Sequence, residues 1–568
     1  TALPLQHSAS SFYAIPAASK ISERISSQDY PEWMWKENGK AEVALMVMRG
    51  SNWQESLERI RQAGFSVAQE DAIAGSVIAR GFLPYLSNLF DLPFIHYIAE
   101  ADQPGEPEND DARVSHRVET VQQWHPTYDG RDVVVGVGDD GSIGPHIDFQ
   151  GRIIIDKAGV SQGNHGDHVS GTVFGAGNRD PRGMGMATGA ELVYYQNTTN
   201  GHFQDIDQDY VNLGVRIHNT SYSGGCNSGY TSLTNQMDVN ALQHRSLLHV
   251  FSAGNNGASP CGNAYIPGQP WGNITGGHKM GKNVIATANI RKEDVVAGSS
   301  SKGPATDGRI KPDISAVGTN VFSTYGGNIY SSISGTSMAS PGIVGCLAVM
   351  YSAHKQNNGN VDPAGGLMKN ILMNTADDLW NEGPDFVYGY GRVNTKNAVE
   401  VIENAQYMLD TVSNSQSNTH SITVPSNVAQ LKVMVYWVDP AASPASQRNL
   451  VNNLDMTLTT PGGSTFLPWV LDPRPNVGSV TSPAVRAVDT LNNAEQITID
   501  DPSAGTYAID ITGTNIPLGV QEYFISYHFI EDEIEVDFPM TGVSLRPFQQ
   551  NYVRWTAPEG TGNFTIEY

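Results

Sequence analysis

Residues 163–172, GNHGDHVSGT, set His165, Asp167 and His168 within four positions. Imidazoles and carboxylates are ordinary zinc ligands, so the cluster could open a metal site; equally, one imidazole could be the general base for a nucleophile held elsewhere in the chain. A metal site needs a further group of His, Cys, Asp or Glu ligands, whereas a relay needs a hydroxyl or thiol and an orienting carboxylate. The chain offers the second set. In ISGTSMASPGIVG, Ser337 follows a Gly-containing turn and precedes a helical run, which puts its hydroxyl at a helix N-terminus among backbone N–H groups. The run VVVGVGDDG ends a buried strand on Asp139, where a carboxylate can orient an imidazole, and no second ligand cluster accompanies the histidines. The order along the chain is Asp, His, Ser.

Length and composition bound the scaffold that must position these groups. The 568 residues exceed one core and imply about three or four domains of ~100 to 200 residues each. Only 16% of residues are charged and 58 are Gly, the mark of a compact, loop-rich globular protein. The net charge of -24 speaks against a nucleic-acid partner, because no basic surface is evident to neutralise phosphates. No apolar run approaches the ~20 residues that span a bilayer, the longest candidate lying around Ile343 to Met350, so no transmembrane segment is expected. The opening TALPLQHSAS lacks a basic and an apolar region, so any export signal is expected to be already absent from the chain. Three cysteines are too few for a disulfide framework or a thiolate zinc site; Cys346 lies in the apolar run GIVGCLAVM as a packing residue, which leaves Cys226 and Cys261, in Gly/Ser/Asn-rich loops, as the only pair.

Patterning divides the chain. After an N-terminal extension, 1–40, residues 41–112 hold the alternation strand, helix, strand, strand, helix, strand, a ferredoxin-like α+β unit, and end in the acidic, Pro/Gly-containing EADQPGEPENDDAR, which reads as a linker open to proteolysis. Residues 113–408 alternate short β-rich runs (VVVGVG, ELVYYQN, IHNTSYS, LLHVFSAG, VIATANI) with helical patterns, so an α/β, doubly wound parallel sheet is expected, with functional groups at the carboxyl ends of its strands. Residues 409–531 change to β-runs with turn signals, an all-β antiparallel sandwich, and 532–568 read as a partial β module or packed extension.

Together VGVGDDGSIGPHIDF, HGDHVSGT, FSAGNNG and GTSMASP, in this order, resemble the aspartate, histidine, oxyanion-asparagine and serine motifs of subtilisin-like serine proteases, the subtilases; the likeness covers about 115–405. It implies a nucleophile Ser337, a base His165, an orienting Asp139 and an oxyanion donor Asn255. It implies hydrolysis of peptide bonds through an acyl-enzyme. His168 corresponds to a structural histidine of the family. Asp167 stands where the family more often has Thr, which leaves open an altered surface charge near the site. Asp140 matches a paired aspartate that helps the kexin-like branch receive a basic side chain, but without further acidic pocket motifs the preferred reading is a solvated turn residue.

The resemblance further implies that Ser221, Tyr222, Ser223 and Gly224 offer a strand edge to extended peptide substrate, with Ala253, Gly254 and Asn255 as the facing wall of the S1 pocket. Structural calcium is expected at Asp148, Asn178 and Asp180; no organic cofactor is implied. The loops bearing Cys226 and Cys261 flank that pocket, so a disulfide between them is expected, two separate thiols being the alternative. The 41–112 unit resembles the family's inhibitor-like propeptide, an intramolecular inhibitor whose tail is expected to lie through the groove, with cleavage within about 100–117. The 409–531 region resembles the jelly-roll domain that follows the catalytic domain in kexin-like and some alkaline subtilases, where stabilisation is its commonest role. The whole implies a secreted, monomeric endopeptidase made as a proenzyme.

Overall fold

The computed structural model describes residues 20–28, 30–31, 34–48, 51–72, 75–101, 108–159, 163–197, 202–444, 446–539 and 553–556. These fall into two compact units, one ending at residue 101 and one comprising the rest.

The smaller unit contains α1 (Glu23–Ser27), β1 (Ala41–Val47), α2 (Trp53–Gln62), β2 (Ser66–Asp71), β3 (Ser76–Gly81), α3 (Ser87–Phe90) and β4 (Ile95–Glu100). Its sheet has the order β2-β3-β1-β4 with every neighbour antiparallel. Alternate residues of β1, Ala41, Val43, Leu45 and Val47, are buried with Leu57 and Ile60 of α2, the period-two pattern meeting a helical stripe. Ile25 and Met34 belong to the same core, so the expected boundary at 41 falls inside this unit. Residues 102–107 of the expected linker lie outside the described residues, and its end, with the boundary at 112, falls within a helix, Glu108–Ser115.

That helix is α4, followed by α5 (Val118–Trp124), β5 (Val134–Asp139), β6 (Ile153–Asp156), α6 (Asn164–Phe174), β7 (Glu191–Gln196), α7 (His202–Asn212), β8 (Val215–Thr220), α8 (Ser232–Gln243), β9 (Leu248–Ser252), β10 (Ile285–Ile290) and β11 (Ile314–Val317). The hairpin β12 (Val321–Tyr325) and β13 (Ile329–Ile333) leads into α9 (Thr336–Asn357), α10 (Gly365–Asn374) and α11 (Thr395–Glu403). The central sheet, β11-β10-β9-β8-β5-β7-β6, is parallel throughout. Successive residues of β7 face opposite layers: Leu192 and Tyr194 join the core of α6 and α9, while Val193 and Tyr195 join that of α7 and α8. Both faces are covered, which is why these strands read as unbroken apolar runs. Strand order reverses at β5, and Asp139 ends that strand at the switch point where α/β sheets open a crevice. The 22-residue α9 is long and apolar enough to cross a membrane by length and composition, but it is the buried core helix of this body.

The sandwich has β14 (Tyr407–Val412), β15 (Ser417–Val424), β16 (Val428–Tyr436), β17 (Asn453–Thr459), β18 (Thr465–Phe466), the short pair β19 (Trp469–Val470) and β20 (Val485–Arg486), β21 (Ala494–Asp500), β22 (Gly505–Asn515) and β23 (Gln521–Glu531). Antiparallel sheets β14-β23-β16-β21 and β15-β22-β17-β18 enclose a core of Leu431, Val433, Trp437, Leu454, Ile509 and Ile511. The outer face of the first sheet rests on α10, where Asn370 Nδ2 donates to Met434 O (3.2 Å) and Phe524 O (3.0 Å). Beyond it, β24 (Glu535–Phe538) and β25 (Arg554–Thr556) form a ribbon packed on the α/β body, with Asp537 buried against Arg117 Nε at 3.0 Å.

Candidate active site

Asp139 is 2% exposed at the end of β5, and its Oδ1 accepts from His165 Nδ1 at 2.6 Å and from the Asp140 N–H at 2.8 Å. His165 lies in the first turn of α6. The residue before that helix, Gly163, has no side chain to cap it, and Asp140 supplies the cap from β5's side: its Oδ1 accepts the Gly166 N–H (2.6 Å) and its Oδ2 the His165 N–H (3.4 Å). A Cβ at position 163 would stand 2.4 Å from Asp140 Oδ1, so glycine is required there. Asp140 is an exposed bend residue, in keeping with the solvated-turn reading, and its carboxylate in addition fixes the start of the histidine helix. Burial disfavours the His165 imidazolium, but the charge and hydrogen bond of Asp139, together with Asp140, outweigh it and lift the pKa above 6.5.

Ser337 stands in the first turn of α9. Its hydroxyl donates to Ser221 O at 2.9 Å, and among the described residues no hydrogen bond joins it to His165. Pro341 has no N–H to return to the carbonyl four residues earlier, and that carbonyl, Ser337 O, accepts from Ser221 Oγ at 3.0 Å. The two serines are thus clasped in both directions. Asn255 Oδ1 accepts from both the N–H and the hydroxyl of Thr336, each at 3.0 Å, which turns its Nδ2 toward Gly335 and the start of α9.

Of the expected pocket segments, Ser221 and Ala253 are buried, Tyr222 is half-buried, and Ser223 and Gly224 are exposed. Thr275 and Gly276 close the space between them. The Thr275 N–H donates to Ala253 O (2.9 Å), its hydroxyl lies 2.8 Å from Ser223 Oγ, and a Cβ on Gly276 would lie 3.3 Å from Gly224 O. Gly254, at φ +118°, lies so close that a Cβ would stand 2.2 Å from Thr275 Oγ1. Cys226 and Cys261 form a disulfide, with Cα atoms 6.1 Å apart, tying together the loops that continue these two segments, while Cys346 is buried and free. Thr275 and its neighbour Lys279 were not singled out in the sequence; a lysine in GGHKMGK reads as solvated until the fold buries it.

The other two members of the opening cluster turn away. Asp167 is fully buried and accepts the Gly144 N–H at 2.6 Å, so the expected change in surface charge is corrected to an interior contact. His168 Nε2 is shared between Val321 O (2.9 Å) and Ser331 O (3.0 Å), and burial holds its pKa down at about 4. Among the described residues Asp139, Asp140 and His165 form the one group of three such side chains close enough to share a cation, and hydrogen bonds already join or occupy them. The carboxylates of the expected calcium set are engaged by protein donors. Asp148 Oδ1 accepts the Asn178 N–H (2.8 Å) and its Oδ2 accepts from Tyr330 OH (2.9 Å), while Asp180 is bound by Arg182 at 2.5 Å.

A family model described as the subtilase family matches residues 130–391. The chain is 30% identical over 325 residues to the serine protease AprX of Bacillus subtilis (strain 168), covering 50% of this chain and 70% of that protein. It is 28% identical over 293 residues to a thermophilic serine proteinase of Bacillus sp. (strain AK1), covering 49% of this chain and 65% of that one. With the serine protease/ABC transporter B family protein tagB of Dictyostelium discoideum it shares 25% identity over 313 residues, 42% of this chain and 16% of that protein. The chain thus spans less than two thirds of the last two.

Proposed function

The chain belongs to the subtilase family, and from that premise we propose that it is a serine endopeptidase in which Ser337 attacks the scissile carbonyl. The observation that carries the reading is the 2.6 Å contact of His165 Nδ1 with a buried Asp139, at the sheet's switch point. That contact leaves Nε2 as the nitrogen able to take a proton. In the proposed first step the Ser337 hydroxyl leaves Ser221 O for His165 Nε2, gives up its proton and forms the tetrahedral adduct. The adduct's oxyanion accepts from Asn255 Nδ2 and the Ser337 N–H. The imidazolium, stabilised by Asp139, then protonates the leaving amine. Water repeats the sequence on the acyl-enzyme.

The smaller unit is proposed as an inhibitory prodomain, removed by cleavage within about 100–117, and the enzyme as an exported protein; the Cys226–Cys261 disulfide supports an oxidising destination. A serine-directed organophosphonate tests the main reading. It should label one serine in the wild-type chain, and Ser337→Ala should abolish both labelling and casein hydrolysis with the circular dichroism unchanged. N-terminal sequencing should find the Ser337→Ala chain unprocessed. Labelling that survives the substitution would refute the assignment.

A further inference from the structure

Beneath the two pocket segments the chain buries a cation that no carboxylate neutralises. Lys279 is 0% exposed in the turn Gly277–Met280, and its ammonium donates only to hydroxyls, Thr275 Oγ1 at 3.0 Å and Ser252 Oγ at 3.3 Å. Among the described residues no Asp or Glu forms an ion pair with it, whereas the nearby Lys282, Lys311 and Lys369 each meet an aspartate. An unpaired buried ammonium is unfavourable, and burial alone lowers this pKa to about 7. His278, the ionisable neighbour on the same turn, is held neutral by burial and supplies no counter-charge.

The hydroxyls give the cation a direction. Thr275 Oγ1 accepts from Lys279 at 3.0 Å and lies 2.8 Å from Ser223 Oγ, a contact either hydroxyl can donate, with Ala253 O at 3.4 Å as the other acceptor in reach of Thr275. Ser223 is exposed. When Ser223 donates outward to a ligand, its oxygen can accept from Thr275 in turn. The chain Lys279, Thr275, Ser223 therefore runs from a buried amine to an exposed hydroxyl, and a negatively charged acceptor at Ser223 would favour the ammonium form and be complemented by the array.

Resting on the protease reading above, we infer that this pocket selects substrates whose residue on the acyl side of the scissile bond is acidic, its carboxylate accepting from Ser223 and balancing Lys279 through Thr275. The processed enzyme is tested on a matched peptide series that differs only at that residue, with Glu, Gln, Asp, Asn or Leu. The kcat/KM for Glu should exceed that for the isosteric Gln by about tenfold, the scale of a hydrogen bond to a charged group. Lys279→Met should bring the Glu/Gln ratio close to one. Thr275→Val, which keeps the shape and breaks the hydroxyl chain, should do the same and serves if the lysine variant does not fold. A wild-type ratio at or below one, with the other peptides cleaved, overturns the inference and leaves the protease reading standing; so does a ratio that survives both substitutions. If no peptide is cleaved and Ser337 resists the organophosphonate, the protease reading fails and takes this inference with it.

Discussion

Lys282→Met should loosen the seam between the α/β body and the sandwich. The Lys282 ammonium, fully buried, meets the Asp439 carboxylate and donates to Pro440 O at 2.5 Å and Asn449 O at 2.7 Å. Asp439 is equally buried and also accepts from the N–H groups of Val451 (2.9 Å) and Asn452 (2.7 Å). Methionine would fill the space of the lysine stem while leaving a buried carboxylate without its cation and two carbonyls without a donor. Breaking a buried pair from one side costs about 3–5 kcal/mol; the two remaining N–H bonds to Asp439 place this case near the lower end, about 3 kcal/mol.

The same change has a pH signature. Burial raises the Asp439 pKa above its ordinary value, with Lys282 the largest opposing influence, so removing Lys282 raises it further. A carboxyl whose folded pKa is raised keeps its proton in the folded state while the unfolded chain has lost it, so stability falls as pH rises from the unfolded carboxyl range through the folded value. The Lys282→Met penalty should therefore be larger at pH 8 than at pH 5. Guanidinium unfolding in a Ser337→Ala background avoids self-digestion, and Trp437, buried in the sandwich core, gives a fluorescence signal. Adding Asp439→Leu should recover much of the loss, because no charge is then left unpaired. A penalty under about 1 kcal/mol, or one that does not grow with pH, would refute the claim that this pair holds the seam.

In the proposed mechanism His165 accepts a proton and must be neutral, and its pKa is raised, so kcat/KM should fall as pH drops through a value above 6.5; Asp140→Asn should move that limb downward, and an unmoved limb would remove Asp140 from the site's electrostatics. Asp140→Ala should weaken the cap on α6 by about 0.5–2 kcal/mol, read as faster hydrogen exchange at the Gly166 amide. Chelation with EDTA should leave the unfolding midpoint unchanged, since Tyr330, Arg182 and the Asn178 N–H already occupy the oxygens of Asp148 and Asp180; a calcium-reversible drop would show that this network rearranges around an ion. Thiol titration of the oxidised chain in denaturant should find one reactive thiol, Cys346, and three after reduction.

Asp139 and Ser337 drew attention because each sits where a local pattern changes, an apolar run ending on a carboxylate and a helix opening after a Gly-containing turn, whereas His165 was separated from His168 only by the resemblance to the family. Periodicity also carried the smaller unit, whose strands and helices follow the alternation read from 42–99. What failed depended on contacts distant in sequence. Met34 lies in a segment without long periodicity, and only the fold shows that it fills the core under β1. Asp167 looks like a surface charge on a short polar stretch, and becomes interior because the Gly144 N–H comes to it. The calcium set rests on the resemblance alone, and the hydrogen bond from Tyr330, on a hairpin 182 residues from Asp148, is a further contact that the sequence could not show.

Lys279 and Lys282 mark the limit most sharply, for they stand three residues apart in one run, GGHKMGKN, and burial takes both to 0 and 1% exposure. By sequence they are the same residue in the same context. The sandwich brings Asp439 to Lys282, and its charge is then spent inside the protein as part of a fixed seam. The pocket floor brings Lys279 only Thr275 and Ser252, whose hydroxyls can solvate an ammonium but cannot neutralise it. On the inference drawn above, the charge that would hold Lys279 protonated is a substrate carboxylate reached through Thr275 and Ser223.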